Sequence, residues 1–180
     1  NGSHTLTAIV YDSIGQTATD TLSVVVSNQE VTPAETEVFT ESFENGFGQW
    51  SQDSQRDWRT SRQRATDGRH SAEIDGGTAN GTLTSVGIDL QGKTNASVAF
   101  SWYIESRLDS NEYVAFDVST DGGTTWINED SLEGNVDTED MWHHEEYRLA
   151  NITALKIRYR GDMNRSSEDA DVDNIVVTAF

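Results

Sequence analysis

Residues 97–105 read SVAFSWYIE. Val98, Phe100, Trp102 and Ile104 take every second place, while Ser97, Ser101, Tyr103 and Glu105 fall between them. Large apolar residues at period two put one side of a strand into a core and the other into a polar setting. The same alternation recurs at Val114, Phe116 and Val118, and at Leu155, Ile157 and Tyr159 against Lys156, Arg158 and Arg160. Short segments of this kind, separated by Gly, Asp and Asn turns, predict an all-β fold, an antiparallel β-sandwich. The one candidate for a helical turn runs from Glu139 to Trp142.

Composition agrees and narrows the functions open to the chain. The 180 residues carry 31 acidic and 12 basic side chains, a formal charge of -19, so phosphate backbones and anionic lipid are repelled. Nucleic acid is excluded as a partner. So is membrane insertion, because there is no apolar run of roughly 18 residues. Apolar residues make up 34 % of the chain, and 5 Trp, 6 Phe and 5 Tyr are available to fill one sandwich core. With no cysteine there is neither a disulfide nor a thiol nucleophile.

Three pieces follow along the chain. Residues 1–28 hold one hairpin: Leu6, Ala8 and Val10 alternate with Thr5 and Thr7, a turn comes at Asp12–Gly15, and Leu22 to Val26 forms a second β-rich run. This stretch, HTLTAIVYDSIGQTATDTLSVVVS, resembles the last two strands of a bacterial immunoglobulin-like domain. The resemblance and the start at Asn1 imply a piece of a longer chain with covalently linked neighbouring domains. Residues 29–39, polar and acidic around Pro33, read as a linker. Residues 40–180 form the main domain. Within it, Gln52–Gly68 is long, polar and Arg-rich, and is expected as a surface excursion.

Ser119–Trp126, STDGGTTW, matches the Asp-box pattern S-x-D-x-G-x-T-W known from sialidase propellers. Asp121 at a tight turn accepts backbone N–H groups, Gly122 and Gly123 supply positive φ, and Trp126 is expected to pack beneath. A propeller needs several blades of about 40–50 residues, and one box in roughly 140 residues does not make one. The box therefore fastens a hairpin. Asp117 and Asp121 lack the alternating D-x-D-x-D-G spacing of a calcium loop.

The order ESFENGFGQW, Asp57 with Trp58, HSAEIDGG, LTSVGIDL and a closing VDNIVV is similar to that of the MAM domain. Between these, FSWYIESRLDSNEYVAFDVSTDGGTTW resembles MAM-like modules of secreted bacterial metallopeptidases of the immune inhibitor A type. Such modules are jelly-roll sandwiches, as are many carbohydrate-binding modules. Receptor MAM domains carry paired cysteines, which this chain lacks, so the receptor role does not transfer. The wider group often holds a structural cation where its first and last strands meet. By that resemblance Glu44 and Asp173 are the expected calcium ligands, with Glu41, Asp75 and Asp171 as further oxygen donors.

No catalytic constellation stands out. On a strand, His143 and Glu145 share one face and His144 and Glu146 the other, so three zinc ligands do not converge. No G-x-S-x-G elbow is present. For binding, alternation puts Tyr103, Glu105, Asp117, Arg158 and Arg160 on outward faces, where a ladder of cross-strand ion pairs competes with a sugar or peptide groove. Trp58, in the Arg-rich excursion, is the expected aromatic platform, although the resemblance at Asp57 and Trp58 also permits a buried role. The expectation is a non-catalytic accessory module of a secreted or surface bacterial protein, binding carbohydrate on a polysaccharide, or a protein surface, and stabilised by calcium. The alternative is a structural spacer in a large adhesin or exported peptidase.

Overall fold

The computed structural model describes residues 2–27 and 34–180. Positions 28–33, which include the first part of the expected linker, lie outside the described residues. The chain divides into two compact units, one ending at Pro33 and the other beginning at Ala34.

The first unit is a hairpin of β1 (Gly2–Tyr11) and β2 (Thr17–Val26), antiparallel from Gly2 opposite Val26 to Tyr11 opposite Thr17. Asp12 shapes the turn, its Oδ1 accepting the N–H groups of Ile14 at 2.9 Å and Gln16 at 2.8 Å. Two strands cannot cover both of their own faces. Accordingly Leu6 and Leu22, a cross-strand pair, stay 59 % and 62 % exposed.

The second unit contains β3 (Thr36–Glu41), β4 (Trp50–Gln52), β5 (Trp58–Ser61), β6 (Ser71–Asp75), β7 (Thr78–Ser85), β8 (Asn95–Ile104), β9 (Tyr113–Ser119), β10 (Ile127–Glu133), β11 (Trp142–Ala150), β12 (Lys156–Met163) and β13 (Asp169–Ala179). Five strands form one sheet in the order β10-β9-β12-β7-β4. The other has six strands: β11-β8-β13-β6-β5, with β3 also paired to β13. Every strand pair is antiparallel. The 11-residue β13 holds the larger sheet together. One of its edges runs along β8, and the other is shared by β6 and then β3, with a register break between Asp173 and Val176.

The core between the sheets is aromatic. Phe100 and Trp102 of β8 meet at 5.2 Å and 89°, and Phe100 reaches across to Phe116 at 4.6 Å and Tyr159 at 5.2 Å. Trp50 continues the cluster to Tyr159 at 5.9 Å and to Phe43 at 5.7 Å. Edge-to-face and tilted pairs of this kind each add about 0.5–1.5 kcal/mol beyond area burial. Val98, Ile104, Val114, Val118, Leu155 and Ile157 are buried with them, as the alternation requires.

Three local expectations are corrected. The main domain begins before residue 40, because β3 starts at Thr36 inside the stretch read as linker. Phe39 is buried there and its strand pairs with β13. The Arg-rich excursion contains the edge strand β5, which pairs with β6. No helical turn forms at Glu139–Trp142, since Asp140 takes a positive φ of 57° and Trp142 opens β11.

Candidate functional site

The outer face of the five-stranded sheet carries a line of interlocked polar and aromatic side chains. In β9, Val114, Phe116 and Val118 point inward, so Tyr113, Ala115 and Asp117 point out, and in β12 the same logic turns Arg158 and Arg160 outward. Register places Arg158 opposite Asp117 and Arg160 opposite Ala115. Asp117 Oδ2 accepts Arg158 Nε at 2.9 Å and Arg160 Nε at 2.5 Å, while Oδ1 accepts from the second guanidinium nitrogen of Arg160 at 3.0 Å and from Asn128 Nδ2 at 3.1 Å. Burial by itself would raise the pKa of Asp117. The hydrogen bonds from Arg160, Arg158 and Asn128 outweigh it and hold the carboxylate below its ordinary range.

An aromatic ring flanks the ion pairs at each end. The Arg158 guanidinium lies 4.3 Å from the centre of the Trp126 ring. Arg160 donates to Tyr113 Oη at 3.2 Å and to Asn80 Oδ1 at 2.9 Å, and Tyr113 Oη itself donates to Asn80 at 3.2 Å. The strip thus runs Tyr113, Arg160, Asp117, Arg158, Trp126. Beside it, Tyr113, Asn128, Ser131, Glu133 and Arg160 line an open depression.

The Asp-box lies at one end of this strip, at the turn from β9 to β10. Asp121 Oδ1 accepts the N–H groups of Thr124 and Thr125, both at 2.9 Å, and Oδ2 accepts Thr125 Oγ1 at 2.6 Å. Ser119 Oγ donates to Asp121 at 2.8 Å and receives the Gly123 N–H at 2.8 Å. Gly122 and Gly123 have φ of 78° and 99°, open to glycine at no steric cost. The donors, Thr125 foremost, hold the Asp121 carboxyl far below the usual range. Trp126 does not pack into the core beneath the turn. It is half-buried against Arg158.

The six residues expected to bind ligand do not share a surface. Asp117, Arg158 and Arg160 lie together as described. Tyr103 and Glu105 belong to the end of β8, on the outer side of the other sheet. There Arg64 covers Tyr103 at 4.5 Å from its ring centre and pairs with Glu105, and Tyr103 Oη donates to Asp140 at 3.1 Å. Tyr103 is 8 % exposed and is not an open platform. Trp58 is 2 % exposed, and its indole N–H donates to the Gly81 carbonyl of the opposite sheet at 3.1 Å, so it bridges the two layers inside the fold.

The five expected calcium ligands do not converge either. Asp173 Oδ2 accepts the N–H groups of Thr66 at 2.6 Å and Asp67 at 2.9 Å, and Glu44 Oε1 accepts those of Arg69 and His70, both at 2.6 Å. These two acids hold neighbouring parts of the segment between β5 and β6. Glu41 caps Ser42 and Phe43 and accepts the Trp50 indole at 3.1 Å. Asp75 pairs with Arg59, and Asp171 accepts Ser71 Oγ at 2.7 Å and Arg64 at 3.3 Å. Among the described residues no three of these five acids bring an oxygen each within 4.8 Å of the others, so the set does not fit a common ion.

Asp171 and its cross-strand neighbour Glu73 are both fully buried beneath Arg64 and Arg59. Burial, reinforced by Glu73, pushes Asp171 up to about 7, against the pull of Ser71 and Arg64. Burial also raises Asp173, with the Asp67 and Thr66 N–H groups pulling the other way.

Trp126, Tyr113, Asn80 and Asn128 were not among the residues expected to bind ligand; Trp126 was expected only to pack beneath its turn. Tyr113 was within reach, because its parity matches Asp117 on the same strand. Asn80 and Asn128 come from strands β7 and β10, whose alignment with β9 and β12 is a tertiary fact.

No family model matches the sequence, and no curated protein matches it. Solved structures do. The chain is similar to the K3 cleaved adhesin domain of Lys-gingipain from Porphyromonas gingivalis W83, at 14 % identity and a TM-score of 0.63, over 82 % of this chain and 100 % of that one. TmCBM61, solved with β-1,4-galactotriose, matches at 16 % identity and a TM-score of 0.60, over 77 % of this chain and 94 % of that one. The CBM22-1 xylan-binding domain of Paenibacillus barcinonensis Xyn10C matches at 14 % identity and a TM-score of 0.57, over 81 % and 96 %. What these share with the chain is the β-sandwich fold.

Proposed function

We propose that residues 34–180 form a non-catalytic carbohydrate-binding module that takes a polysaccharide along the outer face of the five-stranded sheet. The strip from Tyr113 to Trp126 carries the reading. Sugars present flat C–H faces that stack on aromatic rings and hydroxyls that pair with fixed donors and acceptors. Here two rings flank two guanidinium groups and two amides, Asn80 and Asn128, and the polar groups, the Tyr113 hydroxyl among them, are linked through hydrogen bonds. Side chains already fixed by ion pairs lose little freedom when a ligand docks. The groove between Thr40, Glu41, Asn45, Gln49, Asp67 and Ile175 has no aromatic lining and is the weaker candidate.

Two of the similar structures are described as binding β-1,4-galactotriose and xylan, which supports a β-linked polysaccharide as the ligand class. A secreted or surface location follows from such a ligand. The bare apolar side chains of the hairpin support reading residues 2–27 as strands of an adjoining immunoglobulin-like module in a longer chain. Affinity electrophoresis against soluble xylan and β-1,4-galactan tests the proposal. Retardation of the wild-type chain that Trp126→Ala reduces is the expected result, and free migration of the wild type in every polysaccharide removes the reading.

The spacer or adhesion alternative has one observation in its favour. Asp117, Arg158 and Arg160 satisfy one another, as a purely structural ladder would. That reading expects no retardation in any gel and a loss of stability alone when the ladder is cut.

A further inference from the structure

The loop from β8 to β9 and the turn from β12 to β13 meet at three carboxylates. Asp109 and Glu112 come from the first and Glu168 from the second. One oxygen from each lies within 4.8 Å of the other two, and no other group of three His, Asp or Glu side chains among the described residues does so. Glu168 is fully buried and Glu112 is 5 % exposed. Glu168 Oε2 accepts the N–H groups of Asn164 at 3.1 Å and Arg165 at 2.7 Å, yet Glu168 Oε1 has no hydrogen-bond partner. Glu112 Oε1 accepts the Asn164 N–H at 3.0 Å and the Asn164 side-chain amide, and its Oε2 accepts the Asp109 N–H at 2.6 Å.

Among the described residues, Arg165 alone forms ion pairs with these acids. It pairs with Asp109 at 3.0 Å and stands 3.7 Å from Glu168 Oε1, beyond hydrogen-bond reach, with its own side chain 59 % exposed. A solvated guanidinium at that distance compensates a buried carboxylate poorly.

We propose that Asp109, Glu112 and Glu168 form a calcium site. The donors are all hard oxygens. At calcium–oxygen distances of about 2.3–2.6 Å, two ligands on one ion lie no more than about 5 Å apart, and these three oxygens all lie within 4.8 Å of one another. Asn164 and Arg165 N–H groups hold the two buried carboxylates in place before any ion arrives, and solvent completes the shell. Magnesium, which demands a near-octahedral site and keeps its waters, suits this partly buried trio less well. When calcium enters, the exposed Arg165 swings out of its pairing with Asp109. The ion staples two loops, and because Tyr113 directly follows Glu112, it also steadies one end of the aromatic strip.

The test is a calorimetric titration of chelator-treated protein with calcium chloride, with the melting temperature recorded in parallel. Wild type is expected to bind one calcium in the range of about 10⁻⁵–10⁻³ M. Glu168→Gln and, independently, the half-exposed Asp109→Asn should each weaken binding at least tenfold. Arg165→Ala should tighten it, and Glu44→Gln should leave it unchanged. Asp109→Asn decides the matter if Glu168→Gln does not fold. Absence of binding by wild type, unchanged affinity in Asp109→Asn, or loss of binding in Glu44→Gln instead would each overturn the site. None of these outcomes depends on whether a polysaccharide binds.

Discussion

Trp126 rests on the guanidinium of Arg158, 4.3 Å from ring centre to cation, and the same guanidinium reaches Asp117 at 2.7 Å. A side chain fixed on both sides holds the ring in one orientation. The ring is only partly buried, and removing it should cost ligand rather than fold. Trp126→Ala and Tyr113→Ala are each expected to weaken polysaccharide binding about tenfold, a change of ~1.4 kcal/mol, with an unaltered far-UV spectrum. Calorimetry on soluble xylan or β-1,4-galactan measures this.

Asp121 touches no part of the proposed ligand surface, but it closes the turn that delivers Trp126. Asp121→Ala leaves the Thr124 and Thr125 N–H groups to solvent and loosens the segment between β9 and β10. A lower melting temperature and a several-fold loss of polysaccharide affinity are expected together. Retained affinity in that variant would mean that the turn and the ring are independent.

Asp117 is the shared acceptor of two arginines and is 1 % exposed. Asp117→Ala strands both cations on the sheet surface. Removing one partner of a fully buried pair costs about 3–5 kcal/mol, and because both guanidinium groups retain some solvent, about 2–3 kcal/mol is expected here. Urea unfolding gives the figure. Arg158→Ala should cost less, since Arg160 still engages the carboxylate.

Asp171 gives stability a definite pH slope. Its carboxyl is pushed up to about 7 in the folded chain, while an unfolded aspartate titrates near 4. Between those values the native state holds the extra proton, so stability falls as pH rises through that window. Around it stand Glu73 as a like charge and Arg64 and Ser71 as partners. The melting temperature is expected to be higher at pH 5 than at pH 8 by roughly 5 °C, and Asp171→Asn should flatten that difference. Below about pH 4 the trend reverses as Asp121, Glu44 and Asp117, all held below their usual range, take up protons.

Gly76 lets the β6–β7 turn approach the turn that carries Glu168. A β-carbon there would stand 1.6 Å from the Arg165 carbonyl oxygen. Backbone cannot yield that distance cheaply, and Gly76→Ala should cost more than about 2 kcal/mol while weakening the proposed calcium site. Thermal melts with and without calcium separate the two effects.

Alternation at Val98–Ile104, Val114–Val118 and Leu155–Tyr159 was enough to specify strands, their inner faces and an aromatic core, because the period of a pleated strand is a property of the backbone alone. The fastening role of the Asp-box was equally local, resting on Asp121 and two glycines within six residues. What alternation leaves open is which sheet a strand joins. Tyr103 and Asp117 have the same outward parity, yet the order of strands places them on opposite sides of the molecule. Trp58 lies in polar sequence and is drawn inside by the Gly81 carbonyl of another sheet. Glu44 and Asp173 turn to the N–H groups of residues 66–70, while Asp109, Glu112 and Glu168, up to 59 positions apart, meet where two loops fold over one edge. Outward direction is set one residue at a time, but convergence requires the pairing of distant strands, and only tertiary packing supplies that.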